Sequence, residues 1–123
     1  MNRILVVDDE KDILELVKII LVGNGFEVIT AGSGEEGLRL AVSGNPDLII
    51  LDVVMPGLSG LEVCRLLKGK KSMAGTSILM MSVLNREIDR KNVSEAGADD
   101  YIIKPFRAAQ LLSTVDRLLN KQQ

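Results

Sequence analysis

The sequence predicts an α/β fold: a doubly wound, five-stranded parallel sheet with helices on both faces. Three observations predict it. Short apolar runs and amphipathic helical patterns alternate five times along the 123 residues. The central runs, above all residues 48–51 (LIIL), are apolar without interruption, as strands covered on both faces require. Helix-start and helix-stop residues stand where such an alternation needs them.

Each element follows from its own pattern. Residues 3–7 (RILVV) form a short β-rich run. Residues 13–22 carry Ile13, Leu16, Val17, Ile20 and Leu21 at helical spacing. FEVIT (26–30) alternates like a strand, and EEGLRLAV (35–42) reads as a second helix. LIIL (48–51) is a strand and LEVCRLLK (61–68) a helix; SILMMS (77–82) is a strand, followed by a weak helix over 86–96. YIIK (101–104) is the last strand, and LLSTVDRLL (111–119) has the stripe of a docking helix. Ser33-x-x-Glu36 and Ser59-x-x-Glu62 fit the capping box, and Gly97 is placed to end the fourth helix. KGKKSMAGTS (68–77) reads as a loose connection.

Composition narrows the function. One domain with a real core fits this length, and two do not. A net charge of −2 leaves no basic footprint for nucleic acid and no polybasic membrane signal. There is no histidine, so the commonest general base and metal ligand is missing. Cys64 is the only cysteine and sits at a core position of its helix. With no signal peptide and no long apolar span, the chain reads as cytoplasmic.

The chemistry gathers at one sheet edge. Ligands of parallel α/β sheets bind outside the carboxyl ends of the strands. Those ends carry Asp8 and Asp9, Thr30 and Ala31, Asp52, Ser82, and Lys104. Singly each has a bland explanation: Asp9 as a helix N-cap, Ser82 as a strand-end hydroxyl, Lys104 as a solvated charge. Jointly they do not. Clustered carboxylates repel, and a hard cation such as Mg²⁺ relieves them through oxygen ligands. A carboxylate nucleophile with Mg²⁺, an ammonium and a hydroxyl is the set of groups that phosphoryl transfer uses.

ILVVDDE at the start, LIILDVVMPGLSGLE around Asp52, ILMMS, and GADDYIIKPF near the end resemble the receiver domain of two-component response regulators. The resemblance runs the whole chain. It implies a flavodoxin-like strand order 2-1-3-4-5. It implies that Asp52 accepts a phosphoryl group from a sensor histidine kinase or phosphotransfer protein. Asp9 would hold Mg²⁺ directly, with Asp52 and the Val54 carbonyl, and Asp8 mainly through water. Lys104 and Ser82 would bind the phosphoryl oxygens. Ser82 and Tyr101 would form the switch, and the bond between Lys104 and Pro105 would be cis. Val83 departs from the pattern, since the residue after the Ser/Thr is usually small.

Two other readings compete. Gly32, Gly34 and Gly37 spell G-x-G-x-x-G before a helix, with Asp52 twenty residues beyond Gly32. Glu35 and Glu36 in that helix's first turn oppose a pyrophosphate there. The second is a phosphatase using Asp52 as nucleophile. Such enzymes carry an acid two residues later, and here that residue is Val54, which cannot move a proton.

The expected protein is a single receiver domain over 1–123 with no output domain. It would not be a turnover enzyme and would not contact nucleic acid or membrane directly. It would signal as a monomer or phosphorylation-dependent dimer, through helix 86–96, the Tyr101 strand and the face of helix 107–120. Val54 and Leu84 would keep a hydrolytic water from being oriented, which slows loss of the phosphoryl group.

Overall fold

The computed structural model describes residues 2–83 and 87–120, without the side chains of 87–89. Five strands, β1 (Arg3–Val7), β2 (Glu27–Ala31), β3 (Leu48–Asp52), β4 (Ser77–Ser82) and β5 (Asp100–Ile103), pair in parallel in the order β2-β1-β3-β4-β5. Between and after them run α1 (Lys11–Val22), α2 (Gly34–Gly44), α3 (Gly60–Lys68), α4 (Glu87–Glu95) and α5 (Ala108–Asn120). The expected fold and strand order are both present.

The uninterrupted apolar runs are divided between two cores by the two-residue period of the strand. Leu5, Val7, Ile49, Leu51, Ile78 and Met80 face the side packed by Val63, Cys64 and Leu67 of α3. Ile4, Val6, Leu48, Ile50, Leu79 and Met81 face the side packed by Val17 and Leu21 of α1 and Leu111, Val115 and Leu118 of α5. The expected stripe of α1 included Leu16, which is instead 47% exposed. It lies about 100° around the helix from Val17, off the arc that Ile13, Val17, Ile20 and Leu21 share.

Both capping serines act as expected. Ser33 Oγ accepts from the Glu36 amide at 3.1 Å and Ser59 Oγ from the Glu62 amide at 3.3 Å. Gly97 follows α4 at φ +93°, the left-handed conformation that ends helices. The connection 68–77 is anchored rather than loose. It contains a 3₁₀ turn, Lys71–Met73, whose Met73 is buried, and Thr76 Oγ1 donates to the Pro46 carbonyl at 3.0 Å. Cys64 is buried, and desolvation pushes its thiol up to about 11, so it stays protonated and inert.

Candidate functional site

Four of the five strands run side by side and stop at the same edge, so their last residues are brought together by the pairing register alone. Asp52 closes β3 opposite Met81, one position before Ser82, and Ser82 pairs with Ile103, one position before Lys104. Asp8 follows Val7, which pairs with Leu51. Of the site residues named from the sequence, Asp8, Asp52, Ser82 and Lys104 are thereby brought to one edge.

Asp8 is fully buried. Its amide donates to the Ala31 carbonyl at 3.1 Å, and its Oδ1 accepts from the Glu10 amide at 2.9 Å. Its Oδ2 accepts from Lys104 Nζ at 2.7 Å, and the same ammonium lies 3.4 Å from Asp52 Oδ1 and 3.9 Å from Glu10 Oε1. Lys104 is itself buried. Burial pulls its pKa down, but the bond to Asp8 and the charge of Asp52 outweigh it, leaving the pKa above the ordinary value. The lysine thus stays an ammonium. Its tightest partner is Asp8, a pairing that spacing along the chain does not show.

Asp52 is buried at 6% exposure, and burial followed by the Asp8 charge raises its carboxyl, with Lys104 opposing, to about 6. Asp9 is exposed beside it, and one oxygen from each of Asp8, Asp9 and Asp52 lies within 4.8 Å of the others. Asp9 does not cap α1, since Glu10 occupies the N-cap position. Oxygen donors of this charge and spacing suit a hard cation, which would relieve the Asp8 repulsion that adds to burial in raising Asp52.

Above these groups opens a cavity of about 210 Å³, lined by Asp9, Glu10, Asp52, Val54, Ser82, Val83 and Lys104. Val54 and Val83 are 63% and 64% exposed and give the acidic cavity an apolar rim. Glu10 was not anticipated as part of this wall, and its place directly after the two aspartates is the one signal that could have found it. Tyr101 stands on β5 outside the lining, where its hydroxyl accepts from Arg90 Nε and its ring lies 5.7 Å from the Arg90 guanidinium. The peptide between Lys104 and Pro105 is cis. Leu84 lies outside the described residues.

Two of the three glycines of G-x-G-x-x-G, Gly34 and Gly37, serve packing. A Cβ on Gly34 would stand 2.3 Å from the Leu58 carbonyl oxygen, and one on Gly37 would stand 2.8 Å from the Val7 methyls. Two of the turn's amides are already taken, Gly32 N by Glu36 Oε1 at 2.9 Å and Glu36 N by Ser33. Acidic side chains thus occupy this helix start, which opposes a pyrophosphate there.

The sequence model of the response regulator receiver domain matches residues 4–116. The chain belongs to the response regulator receiver family. It is 43% identical over 122 residues to the alkaline phosphatase synthesis transcriptional regulatory protein PhoP of Bacillus subtilis, covering 99% of this chain and 50% of that protein. It is 36% identical over 122 residues to the DNA-binding response regulator MtrA of Mycolicibacterium smegmatis, covering 99% of this chain and 52% of that one. The receiver thus spans about half the length of the curated relatives it matches. Among solved structures, the chemotaxis protein CheY4 of Vibrio cholerae is similar with a TM-score of 0.92 at 33% identity, covering 96% of this chain and 98% of that one. The receiver domain of Francisella response regulator 1452 has a TM-score of 0.92 at 29% identity, with full coverage of both. The named relatives are regulators. Among the described residues, no helix is long and apolar enough to cross a membrane.

Proposed function

We propose that this receiver accepts a phosphoryl group on Asp52 from the phosphohistidine of a sensor kinase or phosphotransfer protein, and that the modified state selects a protein partner. One observation carries the reading: a buried carboxylate faces an open cavity, with two further carboxylates within 4.8 Å and an ammonium at 3.4 Å.

With its carboxyl at about 6, Asp52 is roughly ten to one in favour of the nucleophilic anion near pH 7. Its oxygen attacks phosphorus as the bond to the donor nitrogen breaks, and the electron pair leaves with the imidazole. Asp9, Asp52 and the Val54 carbonyl would hold Mg²⁺, with Asp8 acting through water, and when bound the ion offsets charge on the phosphoryl oxygens. Lys104 stays protonated beside the attacking oxygen and donates to the transferred group. Ser82, at the end of β4, also donates to it.

Pulling Ser82 toward the phosphoryl group biases the neighbouring edge strand β5, where Tyr101 contacts Arg90 of α4. This couples the site to a face made by α4, β5 and α5. Val93 is the one residue of α4 that is buried among its described side chains. An element so lightly anchored is easily displaced. The chain acts as a single receiver domain and contacts no nucleic acid itself; its state is read by a partner protein or by a further part of a longer regulator. It works as a monomer or a phosphorylation-dependent dimer, in the cytoplasm where kinases present their phosphohistidine.

The test is mass spectrometry after incubation with acetyl phosphate and Mg²⁺. Wild type should gain one phosphoryl group, and neither the Asp52→Asn variant nor wild type in EDTA should. Equal labelling of Asp52→Asn would overturn the assignment.

A further inference from the structure

The segment after Asp52 is clamped from three sides. At its ends, Gly60 N donates to the Val53 carbonyl at 3.1 Å and Val53 N donates to the Met81 carbonyl at 2.9 Å. A Cβ on Gly60 would stand 1.8 Å from the Asp52 carbonyl oxygen, so α3 begins hard against the backbone of the phosphoacceptor. The third clamp comes from α2. Glu35 Oε1 accepts from the Leu58 amide at 2.9 Å, a bond between positions 23 apart in the chain. The contact is close throughout: Gly34 abuts the Leu58 carbonyl oxygen, and Gly57 turns at φ +76° with its α-position facing the same Glu35 oxygen.

Glu35 lies outside the cavity lining and is exposed, while Ser33 and Glu36 accept from other amides at the start of α2. Hydrogen bonds from its own amide and from Leu58 hold its carboxyl below the ordinary value, so it is an anion at neutral pH. Apart from its own amide and the Ser33 side chain in the same turn, its contact is with the loop that carries Val54. A backbone carbonyl ligand cannot be aimed by rotating a side chain, so its direction depends on how firmly its loop is held.

We propose that Glu35 is a positioning residue for the cation site: through the Leu58 amide it holds the 53–60 loop so that the Val54 carbonyl points at the ion. This rests on the reading of Asp52 and Val54 given above. Outer groups that orient metal ligands commonly contribute 10–100-fold in affinity, and one acting through four residues of backbone should fall at or below the lower bound, about tenfold.

The experiment compares wild type, Glu35→Ala and Glu35→Gln, the last retaining the acceptor oxygen without the charge. Mg²⁺ midpoints are read from amide resonances of Asp9 and Val54, alongside thermal midpoints and acetyl phosphate labelling across Mg²⁺ concentration. Glu35→Ala should bind Mg²⁺ about tenfold more weakly yet label at the wild-type maximum once Mg²⁺ saturates, while Glu35→Gln stays within about twofold of wild type. A Glu35→Ala midpoint equal to wild type overturns the proposal, and so does a Glu35→Gln variant as weak as Glu35→Ala, which would make the charge and not the bond responsible. If wild type itself neither binds Mg²⁺ nor labels, the site reading fails and this one with it. If Glu35→Ala does not fold, the wild-type Leu58 amide decides: it should shift with the same Mg²⁺ midpoint as Val54, and an unmoved Leu58 amide refutes the link.

Discussion

Replacing Asp52, the proposed phosphoacceptor, should make this protein more stable, and only above a particular pH. Asp52 lies in the folded chain with its carboxyl raised from 3.8 to about 6 by burial and by the Asp8 charge. Between those two values the folded state holds a proton that the unfolded state has released. Wild-type stability therefore falls as pH rises through that window, and the full loss is present above about 6. A shift of about two units corresponds to about 3 kcal/mol. The opposing pull of Lys104 is already contained in that shift, and in the Asp52→Asn variant the lysine keeps Asp8 at 2.7 Å. An amide resembles the protonated acid in size and charge, so Asp52→Asn should gain about 1–3 kcal/mol near pH 8 and almost nothing near pH 3. Urea unfolding at several pH values, without divalent ions, measures this directly. Saturating Mg²⁺ should narrow the gap, because the ion stabilises the wild-type fold by mass action. A gain that is the same at every pH, or a variant that is less stable near pH 8, would refute the electrostatic account of the site.

Two further outcomes follow from the cavity and the switch. Val54→Asn places an amide on the exposed cavity rim that can orient water, so loss of the phosphoryl group after donor removal should quicken, by less than the ~10²-fold of a full general base. Unchanged or slower decay contradicts the idea that an apolar rim prolongs the modified state. In hydrogen exchange, adding beryllofluoride and Mg²⁺ should alter amide protection across residues 90–101, and identical protection would show that Ser82 does not bias the α4 and β5 face.

Much of this was legible in the sequence because a parallel sheet turns chain order into geometry. Once residues 3–7, 48–52 and 77–82 read as buried strands, Asp8, Asp52 and Ser82 had to meet at one edge, whatever the side chains did. Helix starts were legible where a local serine supplies the cap, as at Ser33 and Ser59. What escaped depends on contacts between distant elements. The Lys104 ammonium sits closer to Asp8 than to Asp52, a side-chain arrangement that strand register alone does not set. Glu35 looks like an ordinary first-turn acid until Leu58 is found beneath it. Leu16 read as core because a list of helical spacings does not say which arc of the helix faces the sheet. Gly60 passed as an unremarked small residue, although the Asp52 carbonyl leaves no room there for a Cβ.

The bond between Asp8 and Lys104 joins positions 96 apart. While the chain is being made, the first three strands can pair and bring Asp8, Asp9 and Asp52 together long before residue 104 has left the ribosome. Among the described residues Lys104 is the cation paired with Asp8 and Asp52, so the nascent domain carries an acidic cluster whose own counter-charge arrives with its last strand. Until then, neutralisation of those carboxylates falls to protons and divalent ions in the surrounding solution.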